Sequence, residues 1–84
     1  MYDDYFTFRS MTGAQRAVQV LERAGIPAQL LRTPKQMERM GCGYSVRVRA
    51  AQSQTARWEL ERNQMHYSKI YRRYADGGWE EATE

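Results

Sequence analysis

The stretch DYFTFRSMTGAQRAVQVLERAG, residues 4–25, decides the fold. Asp4 to Arg9 is rich in aromatic and β-branched side chains and predicts a strand. Alternation puts Phe6 and Phe8 on one face, toward the core, and Tyr5, Thr7 and Arg9 on the other. Ser10 then stands where a helix N-cap belongs, with a hydroxyl able to accept from a free amide of the first turn. Ala14, Ala17, Val18 and Leu21 follow at the i, i+3, i+4, i+7 spacing of one buried helical stripe. Gly25 closes the helix at C′, and Arg23 sits in the last turn, where the helix dipole favours a cation.

Working outward, Ile26-Pro27 opens an extended segment, and Ala28 to Thr33 predicts a second strand. Pro34 pushes Thr33 out of the helical region and ends the pairing. Lys35 to Met40 reads as one helical turn. Tyr44 to Arg49 carries the clearest alternation in the chain, with Tyr44, Val46 and Val48 inward and Ser45, Arg47 and Arg49 outward. Gln52 to Gln64 predicts a second helix whose stripe is Ala56 and Leu60. Trp58 lies well round the cylinder, either partly exposed or set against a tail or a partner. Tyr67 to Tyr74 predicts a fourth strand. From Ala75 on, the Gly77-Gly78 pair and the acids predict a flexible acidic tail, 75–84, beyond a single domain, 1–74, with Trp79 as its one anchor. The order strand, helix, strand, strand, helix, strand predicts an α+β, ferredoxin-like βαββαβ sandwich. It would have a four-stranded antiparallel sheet with two helices on one face. No internal sequence repeat is obvious; only the pattern doubles.

With 84 residues, 42% hydrophobic and 27% charged, the chain is one globular domain near the lower size for a self-sufficient core. A single cysteine allows no internal disulfide. One Cys and one His fall short of a four-ligand zinc site, so no metal is expected. With neither a signal peptide nor a long apolar run, the expected location is the reducing cytoplasm, away from membranes. The net charge of +3 conceals an asymmetry. Four of the ten acids fall in 75–84, leaving thirteen bases against six acids on residues 1–74. Such a basic body fits an anionic partner, a tail that folds back to screen it, or merely a solvated surface.

Any chemistry is expected between Leu31 and Tyr44, which holds the lone cysteine. Gly41 and Gly43 flank Cys42 and strip side chains from both sides of the thiol; they also permit backbone angles that other residues resist. Arg32, Lys35 and Arg39 would favour the thiolate. Cys42 read from the residues alone is equally a small buried hydrophobe. Without a second cysteine an intramolecular thioredoxin-type cycle is excluded, whereas a persulfide, a selenosulfide or a mixed disulfide is not. Arg9, Arg47, Arg49, Lys69 and Arg73 form a candidate basic binding face on the open side of the sheet, with Tyr5, Thr7 and Ser45. Arginines among aromatics suit single-stranded RNA. The third strand presents no outward aromatic, however, so nucleic acid is not the expected partner, and a homodimer, face to face or edge to edge, is favoured. His66 has no catalytic partner in any motif. No phosphate loop, paired carboxylates or nucleophile elbow is visible, so no enzyme is expected.

Phe6-Thr7-Phe8-Arg9-Ser10, Ala17, Leu21, Ala24-Gly25-Ile26-Pro27, Thr33-Pro34-Lys35 and Cys42-Gly43 together resemble the selenium/sulfur (Se/S) carrier-like family of small bacterial proteins. Its members read as a Phe-x-Ser start, a helix ending in Ala-Gly-Ile-Pro, a Thr-Pro-Arg turn and a Cys-Gly before the next strand. The resemblance runs from about Tyr5 to Tyr71. Lys35 stands where members carry Arg, a point charge in place of a planar fork. The resemblance implies that Cys42 carries sulfur or selenium, as a persulfide or selenosulfide and with no other cofactor, between a donor such as a cysteine desulfurase and an acceptor enzyme. Gly41 and Gly43 would give access to the thiol, and Thr33, Pro34 and Lys35 would position its loop. The rival reading is a small interaction module whose basic sheet face binds a protein or single-stranded RNA, with Cys42 merely packed.

Overall fold

Ser10 starts the first helix as its residue type predicts. Its backbone is extended and its Oγ accepts from the Gly13 N–H at 3.0 Å. The computed structural model describes residues 1–35 and 43–83. Among them the elements are β1 (Tyr2–Phe8), α1 (Met11–Arg23), β2 (Gln29–Arg32), β3 (Tyr44–Arg49), α2 (Ser53–Arg62), β4 (Ile70–Tyr74) and β5 (Trp79–Glu81). A 3₁₀ turn, Ala50–Gln52, leads into α2 and trims the predicted start of that helix. Of the predicted turn over Lys35 to Met40, residues 36–40 lie outside the described residues.

The fold is α+β, with a five-stranded antiparallel sheet in the order β2-β3-β1-β4-β5. The predicted four strands are thereby corrected to five. The chain turns back after Tyr74 through Asp76-Gly77-Gly78, where Gly77 takes φ +94° and the Gly78 N–H bonds Asp76 Oδ1 at 2.8 Å. Trp79–Glu81, within the segment read as a tail, then pairs with β4. The sequence reading missed this strand because it is only three residues long and carries two acids, which disfavour strands by composition alone.

β1 lies at the centre, with Phe6 opposite both Val46 and Ile70. Phe6, Phe8, Val46, Val48 and Ile70 share a face and meet Ala14, Ala17 and Leu21 of α1 and Ala56 and Leu60 of α2, all buried. Both helix stripes are therefore as predicted, and Trp58 stands 63% exposed. The predicted exposure of Tyr5 and Thr7 fails: Tyr5 is 2% accessible and Thr7 is also buried. β5 is the reason for Tyr5, since it brings Trp79 edge-on to the Tyr5 ring at 5.3 Å. Thr7 spends its hydroxyl on Lys69, accepting from the Lys69 N–H at 3.1 Å. β4 begins later than predicted, at Ile70, and Tyr67 packs edge-on against Phe6 at 5.2 Å instead.

Asp4 is fully buried, which its position near the start of a strand does not announce. Arg72 donates to Asp4 Oδ1 at 2.9 Å and to Oδ2 at 3.2 Å, and Ser53 donates its hydroxyl to Oδ2. The bidentate bond to Asp4 raises the Arg72 pKa further above its ordinary value and fixes its positive charge. Removing one partner of such a pair strands the other charge in a poor dielectric. Arg72 keeps some solvent contact, so Asp4→Ala is expected to cost about 3 kcal/mol, at the low end for buried pairs. Urea unfolding measures this.

Both helices end in the same way. The Ile26 N–H bonds Leu21 O at 2.9 Å and the Gly25 N–H bonds Glu22 O at 3.0 Å; the Met65 N–H bonds Leu60 O at 2.8 Å and the Gln64 N–H bonds Glu61 O at 3.0 Å. These are two Schellman caps. Each follows Leu-Glu-Arg, at 21–23 and at 60–62, a short internal repeat that the sequence reading passed over. The first cap has Gly25 at φ +78°, where glycine is at ease; the second forces Gln64 to φ +57°. Gln64 is exposed and holds this strained conformation for the cap alone. Gln64→Gly is expected to stabilise the protein by about 0.5–1 kcal/mol, read as a raised urea midpoint at unchanged m.

Candidate functional site

The hairpin joining β2 to β3 contains the lone cysteine, and its mouth is pinned by backbone and side chains together. Beyond the last β2 pair, Arg32 opposite Tyr44, the Thr33 N–H bonds Gly43 O at 2.9 Å. Thr33 and Ser45 are both buried, and their hydroxyls share a hydrogen bond of 2.7 Å. Two satisfied hydroxyls at the base of the loop fix where it leaves the sheet. Thr33 is thus tied to Ser45, which shares the helix-free face with Thr7 and Arg47 as predicted but is buried there. The available signal was a pair of small hydroxyl residues flanking one loop. Pro34 is half-buried and Lys35 is exposed. Cys42 and Gly41 lie outside the described residues. Gly43 is half-buried, its φ is not in the left-handed region, and a Cβ there would meet nothing within 4 Å among the described residues. The backbone angle at Gly43 therefore does not call for glycine, which corrects the conformational argument for that position.

The five basic residues do not form one patch. Arg9 is exposed just past the end of β1 at the loop end of the sheet, where Phe8 pairs with Tyr44. Lys69 is also near that end and bonds Glu81 at 3.3 Å. Arg47, Arg49 and Arg73 lie farther down the helix-free face: Arg49 and Arg73 both stand opposite Asp3, and Arg47 stands opposite Tyr5. Arg47 donates to Gln29 Oε1, and Arg73 lies over the Trp79 ring at 5.1 Å. A hollow of about 250 Å³ opens here, lined by Asp3, Tyr5, Arg47 and Arg73 among others. On the outer edge, Tyr74 Oη bonds Glu80 at 3.0 Å, which raises the phenol pKa.

His66 is exposed. Among the described residues no group of three or more His, Cys, Asp and Glu side chains is placed to hold a metal ion. No helix among them is long and apolar enough to cross a membrane.

Fold and site together define a class: a small α+β domain with a braced hairpin whose loop sequence includes the only cysteine. The chain matches the family model described as "Putative Se/S carrier protein-like" over residues 3–72, from β1 into β4, and it belongs to that family. No curated protein and no solved structure gives a significant match.

The Thr33–Ser45 pair supplies a test of the braced mouth. Thr33→Val keeps the shape but leaves the buried Ser45 hydroxyl unpaired, at an expected cost of about 1–2 kcal/mol. Adding Ser45→Ala removes the orphan as well, so the double variant is expected to unfold at a higher urea concentration than Thr33→Val alone.

Proposed function

We propose that the protein is a non-catalytic carrier that holds sulfur or selenium on Cys42 and passes it from a donor enzyme to an acceptor. The scaffold is a ferredoxin-like plan extended by β5. The observation that carries this reading is the family match, whose residues 3–72 span the whole loop. Loading needs no outside oxidant. The Cys42 thiolate attacks the outer sulfur of a donor persulfide, such as that of a cysteine desulfurase; a new S–S bond forms, and the donor sulfur leaves as a thiolate. Selenium follows the same course from a donor perselenide, giving a selenosulfide. Unloading reverses the roles, with an acceptor nucleophile taking the outer atom and Cys42 leaving as thiolate. Protein partners, and no resident cofactor or metal, complete the cycle in the reducing cytoplasm, where a lone thiol stays available.

Three features support this reading. Gly43 adopts a backbone angle open to any residue, so close approach to the neighbouring thiol is a reason for glycine there. Arg9, Arg32 and Lys35 are exposed at or beside the loop end, where cations favour a thiolate. α1 begins at that same end with no acid in its first turn, so its own sequence does not neutralise the positive end of its dipole. A homodimer is compatible with the scheme, each copy carrying its own thiol.

Incubating the protein with a cysteine desulfurase and cysteine should add the mass of one sulfur atom, removable by reductant. Cys42→Ser should keep the urea midpoint and lose the adduct. An unchanged wild-type mass, or an adduct that survives in Cys42→Ser, overturns the carrier.

A further inference from the structure

We propose that the hollow lined by Arg47 and Arg73 on the helix-free face, together with Arg49 across Asp3 from Arg73, is a docking site for a carboxylate-bearing segment of a partner protein. This goes beyond the carrier reading and does not depend on Cys42. Three arginines flank a single acid in the strand register: Asp3 stands opposite Arg49 on one side and Arg73 on the other, and Arg47 stands opposite Tyr5, two residues along β1. Elsewhere on this face the chain satisfies a base with its own acid, Lys69 with Glu81. Among the described residues, no carboxylate lies within ion-pair distance of Arg47, Arg49 or Arg73.

Two of the three arginines are held ready. Arg73 lies over the Trp79 ring, which itself meets the buried Tyr5 edge-on, and Arg47 is tethered to Gln29. Stacking occupies a guanidinium's flat face and leaves its N–H edge to fork onto a carboxylate, with little side-chain freedom left to lose. The hollow, about 250 Å³, admits one or two carboxylate side chains.

The same observations weigh against the other occupants. Single-stranded RNA binds by stacking bases on accessible rings, and here the central ring, Tyr5, is sealed under Trp79. A second copy packed face to face would set these arginines against their own equivalents, since Asp3 and Glu81 do not balance Arg47, Arg49, Lys69 and Arg73.

The test uses the full chain and fluorescein-labelled octaglutamate as probe, read by anisotropy at low salt. Binding is expected to weaken as salt rises. Arg49→Glu with Arg73→Glu should weaken it at least tenfold. Arg16→Glu with Arg23→Glu, which reverses two exposed charges on α1 and changes net charge equally, should weaken it less than threefold. Circular dichroism checks that both variants are folded, and Arg49→Gln with Arg73→Gln repeats the measurement should the reversal disturb the sheet. No binding by the wild type, or equal losses in the two charge-reversed pairs, overturns the proposal. Labelled octauridylate binding more tightly through Arg49 and Arg73 than octaglutamate does also overturns it, in favour of a nucleic-acid face.

Discussion

A carboxylate with no access to water holds this small domain in register. Asp4, on the central strand, sits on the face that packs against the helices, where an unpaired charge would be prohibitively costly. It is satisfied from two directions: Arg72 reaches it from β4 and Ser53 from the first turn of α2. A slip of β4 by one residue would turn Arg72 to the opposite face and orphan the charge, so the pairing of β4 with β1 is specified electrostatically as well as by Ile70. The same guanidinium lies 3.9 Å over the Tyr2 ring, Tyr2 meets Tyr74 edge-on at 5.9 Å, and Tyr74 bonds Glu80 of β5. One buried ion pair thus leads outward, contact by contact, to the strand that closes the sheet.

That fifth strand changes what the helix-free face can be. Without it Tyr5 would lie open among arginines and offer a stacking platform. With it, Trp79 seals Tyr5, and Ala82 and Thr83 bond to Ile70 just past the strand. Three ladder pairs are a short attachment, and the ion pair of Lys69 with Glu81 is solvent-exposed and contributes little. The strand is held mainly by the burial of Trp79 against Tyr5 and by these flanking backbone bonds.

How much of this was legible follows from which forces are local. The alternation of Tyr44 to Arg49, the Ser10 cap, the Gly25 terminus and the Ala14, Ala17, Leu21 stripe each rest on residues close in sequence, and each was readable. Asp4 was not, because its partners Ser53 and Arg72 are distant and a charged residue near a strand start reads as solvent-facing. Gln64 was not, because nothing in a glutamine announces a left-handed backbone; only the repeat of Leu-Glu-Arg pointed there. β5 was missed because pairing with β4 supplies what its own composition lacks. At the loop mouth, Thr33 and Gly43 were singled out from the turn and the motif, while the hydroxyl bond to Ser45 needed the register of β2 on β3.

The register also separates two proposed sites that the charge pattern had merged. β3 runs away from the loop, so Arg49 lies six residues from Gly43, roughly 20 Å along the strand at ~3.3 Å per residue. The Debye length at physiological salt is only ~8 Å. Arg47, Arg49 and Arg73 are therefore electrostatically remote from Gly43, whereas Arg9, Arg32, Lys35 and the start of α1 lie at the Gly43 end of the sheet. A carrier needs both a reactive end and a means of recognising whom it serves. The sheet keeps the arginines around Asp3 apart from the Gly43 end, so the proposed docking and the proposed thiol chemistry make separate demands on the chain.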